Sequence, residues 1–213
     1  YETQEHKSSW RDGKNGFASR GSTRRNEDLS ELTAQWRKTI FEDHTFTLLA
    51  GYSWQKTNYQ NFYMQNFNFP SDGYTYNNMD AGQALKDGRG TENSEANESR
   101  LIGYFGRLNY SYKGKYMLAA SIRHEGSTKF GADHKWGNFP SVSAAWNIKG
   151  ENFMEDIESL SVLKLRAGFG ITGTVPTDPY MSLNTLNFGT YAYYNNEWIK
   201  TIRPDSNANP DLR

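Results

Sequence analysis

The residue types that most often carry catalysis or bind metals are few and scattered in this chain. Its four histidines form no H-E-x-x-H motif and no pair four residues apart, the spacing that brings two imidazoles to one metal. The chain has no cysteine, so thiolate metal sites and disulfides are excluded. It also has no G-x-S-x-G elbow and no phosphate-binding loop. We therefore predict that the chain is not an enzyme and binds no metal and no cofactor.

One glycine motif has the spacing of a dinucleotide-binding fingerprint. Residues 168 to 173 have the sequence G-F-G-I-T-G and follow a strand-like stretch. Such a motif holds a pyrophosphate only where a helix begins at the glycines. Here Pro176 and Pro179 follow closely and block a helix. We interpret the glycines as the end of a strand that enters a loop.

Basic and polar side chains recur on one face of four predicted strands. Between residues 101 and 172, four stretches alternate apolar with polar or small side chains, which is typical of strands in a sheet with one apolar face. On a barrel wall the polar side chains would face the lumen and guide anionic or polyhydroxylated solutes, or pair with acidic groups. On another sheet they would be ordinary solvated surface. The candidates for lumen-facing residues are Arg107, Asn109, Arg123, Lys164 and Arg166.

Composition narrows the class of protein. The 213 residues include 24 basic and 24 acidic side chains, so nothing in the charge favours nucleic acid as a partner. No run approaches the roughly 18 apolar residues of a membrane-spanning helix. A transmembrane strand needs only about 9 to 11 residues, and alternate ones face lipid. Period-two alternation therefore fits either a soluble sandwich or a membrane barrel.

The predicted strands divide the chain into five parts. We predict a loop over 1–28, a hairpin over 29–56 that turns at 42–44, a long loop over 57–99, four strands over 100–172, and a long loop with the start of a further strand over 173–213. The connections alternate long and short, as in an up-and-down barrel, as far as 149–161. There the sequence favours a short helical turn that begins near Glu151 or Asn152.

Aromatic side chains lie among amides in two of the predicted loops. Such sequences suit stacking on sugars, a polar protein interface, or mutual packing of the loops, and the sequence leaves all three open. The candidate contact residues are Tyr59, Tyr63, Phe67 and Tyr74 in the first loop and Tyr191, Tyr193 and Trp198 in the second. Other rings lie near predicted strand ends, as is typical of membrane interfaces. They include Trp36, Phe41, Tyr110, Tyr112, Tyr116 and Trp146.

Several stretches resemble the barrel of SusC/RagA-type TonB-dependent transporters. They are G-Y-F-G-R-L-N-Y-S-Y at 103–112, R-H-E-G-S-T-K-F-G at 123–131, W-G-N-F-P-S-V-S-A-A-W at 136–146, and L-K-L-R-A-G-F-G-I-T-G at 163–173. The resemblance implies an all-β fold: an antiparallel, up-and-down transmembrane β-barrel segment with about six or seven strands and long extracellular loops. The final N-P-D-L-R looks like the start of the next barrel strand.

The resemblance also implies a role in the cell outer membrane. It implies TonB-dependent import of oligosaccharides or peptides, with outer-membrane lipid around the barrel and a SusD-like surface lipoprotein as a lid. TonB would act through a plug domain that we expect outside these 213 residues. The alternative from the residues alone is a soluble all-β carbohydrate-binding module with aromatic-rich loops.

Overall fold

The structure, a computed structural model, describes residues 2–4, 14–209 and 212. The described residues form β-strands, turns and four single-turn 3₁₀ helices, and none of these helices is long enough to cross a membrane. The strands are β1 (Glu2–Gln4), β2 (Phe17–Ile40), β3 (His44–Phe67), β4 (Thr91–Tyr112), β5 (Tyr116–Ser127), β6 (Trp136–Asn147), β7 (Lys164–Gly170), β8 (Thr185–Tyr194) and β9 (Glu197–Ser206). The 3₁₀ helices are Asp72–Tyr74, Met79–Ala81, Ile148–Gly150 and Asn152–Met154.

The strands follow one another in space in the order of the sequence. β1 to β7 form one seven-stranded sheet in chain order, and β8 and β9 form a separate hairpin. The registers recorded for β4 to β7 are antiparallel throughout. The predicted all-β, antiparallel, up-and-down architecture is therefore confirmed.

By contacts along the chain, the protein divides into two compact units. The first comprises residues 1–27 with 57–98, and the second comprises 28–56 with 99–213. β2, β3 and β4 each contribute one part to each unit.

The first unit holds most of the buried apolar side chains. Phe17, Phe67 and Ala84 form one cluster, and Ala18, Phe69 and Met79 form another. Beside them Asn66 is completely buried. Its amide donates to the carbonyls of Met79 and Gly82 at 2.8 Å, and its Oδ1 accepts from the backbone N–H groups of Phe67 and Leu85 at 2.9 Å. Asn66 thus meets its full hydrogen-bonding capacity and folds the connection after β3 onto the strand.

In the second unit, glycine makes room for a ring on the sheet. A Cβ at Gly51 on β3 would lie 2.3 Å from the ring of Phe105 on β4. The outer end of the ring therefore lies against the Gly51 backbone, where any other residue would displace it. Phe139 lies in the same way over Gly173, where an added Cβ would meet it at 2.5 Å.

The structure corrects three predicted boundaries. The predicted loop over 1–28 is wrong at Glu2–Gln4, which form β1, and from Phe17 onward, where β2 begins. Residues 1 and 5–13 lie outside the described part of the chain. The loop over 57–99 is wrong at both ends, since β3 continues to Phe67 and β4 starts at Thr91. The extensions at 19–28 and at 91–100, T-E-N-S-E-A-N-E-S-R, are polar on both faces, and the extension at 57–67 has aromatic side chains at both odd and even positions, so none of them carries a period-two signal. Backbone pairing holds the polar parts as strands, and Phe17, Ala18 and Phe67 add packing in the buried clusters.

The third correction concerns 173–213, where a long loop with the start of a further strand was predicted. The structure has the complete β8–β9 hairpin there, and residues 207–209 and 212 are not in a strand. Pro210, Asp211 and Arg213, which belong to the predicted next strand, lie outside the described residues.

The remaining local predictions agree with the strands observed. The hairpin predicted over 29–56 is the β2–β3 hairpin, with its turn at 41–43 instead of 42–44. The four strands predicted over 100–172 are β4 to β7. The short helical turn predicted near Glu151 or Asn152 is the 3₁₀ helix Asn152–Met154.

Candidate functional site

The second unit has an apolar sheet face that no described part of the protein covers. We call this the apolar face. Among the described residues of this unit only one large apolar side chain, Met154, is buried. The cross-strand registers put the apolar side chains of β4 to β7 on a common face, and eight of them are between 42 % and 72 % exposed. These eight are Tyr104, Leu108, Tyr116, Leu118, Ile122, Val142, Leu165 and Phe169.

One row of rings borders the apolar face at the end where the short turns lie. We call it the turn-end row: Tyr112, Tyr116 and Trp146. Each neighbouring pair is stacked, with ring centres 6.3 Å apart. Rings with polar tips concentrate where a membrane meets water.

A second row lies across the same face further along the strands. We call it the far row: Tyr52, Tyr104, Trp136 and His124. Tyr104 lies 5.2 Å from Tyr52 and 6.3 Å from Trp136, which stacks on His124 at 4.7 Å. Eight residues separate Tyr104 from Tyr112 on β4, or about 26 Å along the strand. A tilt of about 40° leaves about 20 Å in height, comparable with the band of about 25 Å that faces lipid in outer-membrane barrels.

A carboxylate fixes the connection between β6 and β7 to the turn-end row. Glu151 accepts hydrogen bonds from Trp146 Nε1 at 2.9 Å and from Lys115 Nζ at 3.2 Å, and also from the side chain of Tyr116. These bonds, led by that from Tyr116 and then Trp146, lower the pKa of the Glu151 carboxyl from 4.5 to about 2. Glu151 therefore stays ionised and joins β5, β6 and the connection that follows β6.

The opposite side of the sheet, the polar face, forms a concavity of about 690 Å³ near the same turns. Its lining includes the small residues Ala119, Ala145 and Gly168 and no Asp or Glu. The predicted candidates Asn109, Lys164 and Arg166 all line it. Cross-strand registers put Arg107 and Arg123 on this face too. That the face borders a lumen stays a prediction.

The structure separates Arg123 from the other cations of the polar face. Arg123 forms an ion pair with Glu125 and donates to Ser53 Oγ at 3.2 Å. Its register partners on the two neighbouring strands are Phe105 and Phe139, and its guanidinium lies 5.7 Å from the Phe105 ring centre. The charge of Arg123 is thus already balanced within the sheet.

The β8–β9 hairpin carries the second group of predicted contact residues. Tyr193 pairs with Trp198, and Tyr191 with Lys200, so these side chains share one face. A register shift beside Gly189 brings Phe188, the partner of Ile202, to the same face. We call this the hairpin face: Phe188, Tyr191, Tyr193, Trp198 and Ile202. Its members are 58 % to 68 % exposed.

The first group of predicted contact residues lies in the first unit and is not uniform. Tyr59 and Tyr63 belong to β3, and Tyr74 ends the 3₁₀ helix Asp72–Tyr74. Tyr63 and Tyr74 are 37 % and 41 % exposed. Phe67 is only 6 % exposed and packs in the core with Phe17 and Ala84. The structure therefore contradicts a contact role for Phe67, because its ring is buried in the core.

Two residues central to these arrangements were not among the predicted site residues. Arg37 on β2 lines the concavity with Lys164 and Arg166, and Glu151 fixes the turn-end row. In the sequence of β2, Arg37 stands at an odd position and Leu32 and Trp36 at even ones, so period-two alternation was an available signal for the face of Arg37. Within residues 2–4, 14–209 and 212, no group of three or more His, Asp or Glu side chains is placed to hold a metal.

Comparison with known proteins connects this sheet to a family. TonB-dependent receptor P26 of Formosa agariphila is 36 % identical over 157 residues, which is 74 % of this chain and 16 % of that protein. TonB-dependent receptor SusC of Bacteroides thetaiotaomicron is 40 % identical over 138 residues, 62 % of this chain and 13 % of that protein. The chain is homologous to the barrel of SusC/RagA-type TonB-dependent receptors. The resemblance found in the sequence is therefore confirmed.

Solved structures support this SusC/RagA-type fold. The RagAB peptide importer in its closed-closed state superposes on 99 % of this chain and 22 % of that chain, with a TM-score of 0.84 and 21 % identity. Its open-open state gives a TM-score of 0.82. Because the sequence identity is only 21 %, this similarity is evidence for a shared fold alone. No protein-family profile matches the chain. This SusC/RagA-type chain spans 13 % to 18 % of the length of the curated relatives that it matches.

Proposed function

We propose that this chain forms part of the wall of an outer-membrane barrel that imports nutrients in a TonB-dependent manner. The observation that carries the proposal is the apolar face, which is exposed between the turn-end row and the far row. A contiguous apolar surface of this kind is rare on a soluble monomer and marks an interface. Lipid is an interface that suits both the apolar band and its aromatic borders.

The relatives support the transport role and its partners. SusC and the other relatives are named TonB-dependent receptors, and RagAB is a peptide importer. By that analogy the cargo is an oligosaccharide or a peptide, a SusD-like surface lipoprotein covers the barrel mouth, and TonB acts through a plug region. None of these is an enzyme role. On this proposal the polar face borders the lumen.

The exposed aromatic residues would form contacts on the extracellular side of this transporter. We assign the hairpin face, together with Tyr59, Tyr63 and Tyr74, to contact with the lid lipoprotein or the cargo. Tyr and Trp are favoured at such interfaces because their rings provide large contact area and a polar tip. A soluble carbohydrate-binding module would use the same rings, but it would leave the apolar face of β4 to β7 in water.

Membrane extraction tests the wall assignment. The full-length protein should remain with outer membranes through salt and carbonate washes and come out only in detergent. Its uptake of cargo should stop in cells without TonB. A monomer released by plain buffer would contradict the barrel, and uptake that persists without TonB would contradict the proposed coupling.

A further inference from the structure

The chain is attached to the connection between β5 and β6 both before and after the β8–β9 hairpin. We call residues 128–135, which form this connection, the seat, and residues 171–184, which lead into the hairpin, the incoming leg. Lys129 Nζ in the seat donates to the carbonyl oxygens of Pro176 and Thr177 in the leg, at 2.9 and 2.7 Å. Beyond the hairpin, the backbone N–H of Gly131 donates to the carbonyl of Leu212 at 3.1 Å. The seat therefore holds the chain on both sides of the hairpin.

The seat is itself fixed to the sheet. The backbone N–H of Thr128 donates to the carbonyl of Arg100 on β4 at 3.0 Å, and Thr128 Oγ1 accepts from the Arg100 N–H at 2.9 Å. Ser127, only 5 % exposed, accepts from the N–H of Lys129 at 3.2 Å through its Oγ. The backbone of Lys129 is thus held by β4 and β5, and its side chain extends from a fixed point.

Apolar packing within the described chain holds the incoming leg only weakly. Ile171 and Val175 are 51 % and 43 % exposed. The start of the leg is separated from Phe130 and His134 of the seat by a cavity of about 720 Å³ that all four residues line. Hydrogen bonds from an ammonium group are stronger than those between neutral groups. The two bonds from Lys129 are therefore the contacts best able to fix the middle of the leg.

The leg is stiff between the point where Lys129 holds it and the start of β8. Pro176 and Pro179 each have a restricted φ angle. Tyr180 has a φ of +66°, and its carbonyl accepts from the N–H of Leu183 at 2.9 Å, which closes a turn before β8 begins at Thr185. A stiff leg transmits the position of its anchor, so fixing residues 176 and 177 also orients the hairpin.

We infer that Lys129 is a positioning residue that orients the β8–β9 hairpin, so that the hairpin face meets its binding partner already ordered. A segment held in its binding conformation loses less conformational freedom when it binds, and this strengthens the complex. The choice of the lipoprotein as that partner rests on the proposed function. The orientation of the hairpin by Lys129 does not.

The first measurement is the orientation of the hairpin in the full-length protein, purified in detergent without its lipoprotein. Spin labels are attached to cysteines introduced at Asp133 in the seat and Glu197 in the hairpin, both exposed; any cysteine outside these 213 residues is first replaced. Pulsed electron paramagnetic resonance then gives the distribution of distances between the two labels. The test variant is Lys129→Met, which keeps the length of the side chain and removes its donors. Lys129→Gln, with a shorter side chain, takes its place if Lys129→Met does not assemble.

Two further variants separate the hydrogen bonds from other effects. Lys129→Arg keeps a charged donor, and Lys135→Met removes an exposed lysine from the same connection. We expect the distance distribution of Lys129→Met to be at least about twofold broader than that of the wild type, since a released leg samples many more backbone conformations. Lys129→Arg should restore most of the narrow distribution, and Lys135→Met should match the wild type.

The second measurement is the amount of SusD-like lipoprotein that co-purifies with the transporter. Lys129→Met should reduce it about fivefold, because ordering the hairpin then lowers the affinity. In a background that carries Tyr193→Ala and Trp198→Ala, Lys129→Met should cause little further loss, since residues that act through one contact are not additive. A general effect on folding would weaken binding equally in both backgrounds.

Three results would overturn the inference. One is an unchanged distance distribution in Lys129→Met, which would show that other contacts orient the hairpin. Another is equal broadening in Lys129→Met and Lys135→Met. The third is an equal loss of lipoprotein with and without the two hairpin rings. Absence of any lipoprotein from the wild-type preparation would instead contradict the proposed partner, and the distance distributions would still decide the role of Lys129.

Discussion

The Glu151 carboxylate accepts a hydrogen bond of 2.9 Å from the indole nitrogen of Trp146, five residues before it in the chain. Trp146 is the last ring of the turn-end row and stacks on Tyr116. Lys115, in the turn before Tyr116, reaches the same carboxylate at 3.2 Å. One acidic side chain thus joins two neighbouring connections and holds the border of the apolar face in place.

This contact predicts acid sensitivity at the turn end. Because the folded pKa of Glu151 is lowered from 4.5 to about 2, its contribution to stability is fully present above pH 4.5. It is lost as the pH falls from there to about 2, when the folded carboxyl is protonated. The Glu151→Gln variant should therefore be less stable than the wild type at pH 7. It should also lose the decrease in stability between pH 4.5 and about 2 that Glu151 causes in the wild type. The measurement is the thermal unfolding temperature of the detergent-solubilised wild type and variant at a series of pH values from 7 to 2.5.

The control for this prediction is Glu158→Gln, because Glu158 is an exposed carboxylate in the same connection. It should leave both the stability at neutral pH and the acid transition unchanged. An identical pH profile for Glu151→Gln and the wild type would show that the hydrogen bonds to Glu151 do not contribute to stability.

Arginine substitutions on the apolar face should cost more with depth in the membrane. Val142 lies between the two aromatic rows, whereas Leu165 is the register partner of Trp146 in the turn-end row. Val142→Arg should cost about 2–4 kcal/mol and Leu165→Arg only about 0–1 kcal/mol, as expected at a bilayer midplane and an interface. Reversible folding into lipid vesicles measures both. Equal costs would contradict a lipid boundary at this face.

Arg166→Ala is the matched change on the polar face next to Leu165. It should alter folding stability little, because Arg166 is exposed and has no ion pair or side-chain hydrogen bond among the described residues. A loss as large as that of Val142→Arg would indicate that the polar face is also packed against protein.

The hydrogen bonds of Asn66 should hold the connection between β3 and β4 closed. Asn66→Ala would leave buried carbonyls of Met79 and Gly82 without their donor, at a cost of at least about 2 kcal/mol in opening this connection. Trypsin should then cut faster at the exposed Lys86 and Arg89. Asn66→Asp should have a similar effect, since it removes both donors.

The control is Asn77→Ala, an exposed asparagine in the same connection. Its amide bonds only the neighbouring Thr75 side chain, so tryptic cleavage should proceed at the wild-type rate. Equal cleavage of Asn66→Ala and Asn77→Ala would contradict the organising role of Asn66.

The hairpin face should contribute to binding of the lid lipoprotein. The ring centres of Tyr193 and Trp198 lie 5.3 Å apart on this face. The double variant Tyr193→Ala with Trp198→Ala should reduce co-purification of the lipoprotein with the full-length transporter at least about fivefold, as expected if the two rings include an interface hot spot. Tyr194→Ala is the control, because Tyr194 is equally exposed but points to the opposite face. An unchanged yield for the double variant would show that this face only covers the barrel mouth.

The sequence by itself was enough to predict the strands wherever one face of the sheet is apolar. Period-two alternation over β4 to β7, the β2–β3 hairpin and the rings near strand ends all followed from residue order, because side chains on a strand alternate between two environments. The same pattern put Arg107 and Arg166 on the polar face. The motifs at 103–146 and 163–173 were specific enough to indicate the family.

Only the tertiary structure decided where strands continue without an apolar face and which polar groups have partners. The parts of β2 and β4 at 19–28 and 91–100 are polar on both sides and are held by backbone pairing to neighbouring strands. Phe67 resembles an exposed loop aromatic in sequence, yet it is buried beside Phe17, 50 positions earlier. Arg123 and Arg166 look alike in the pattern, but among the described residues Arg123 meets a carboxylate and Arg166 does not. Such differences depend on contacts between distant residues, which local spacing does not encode.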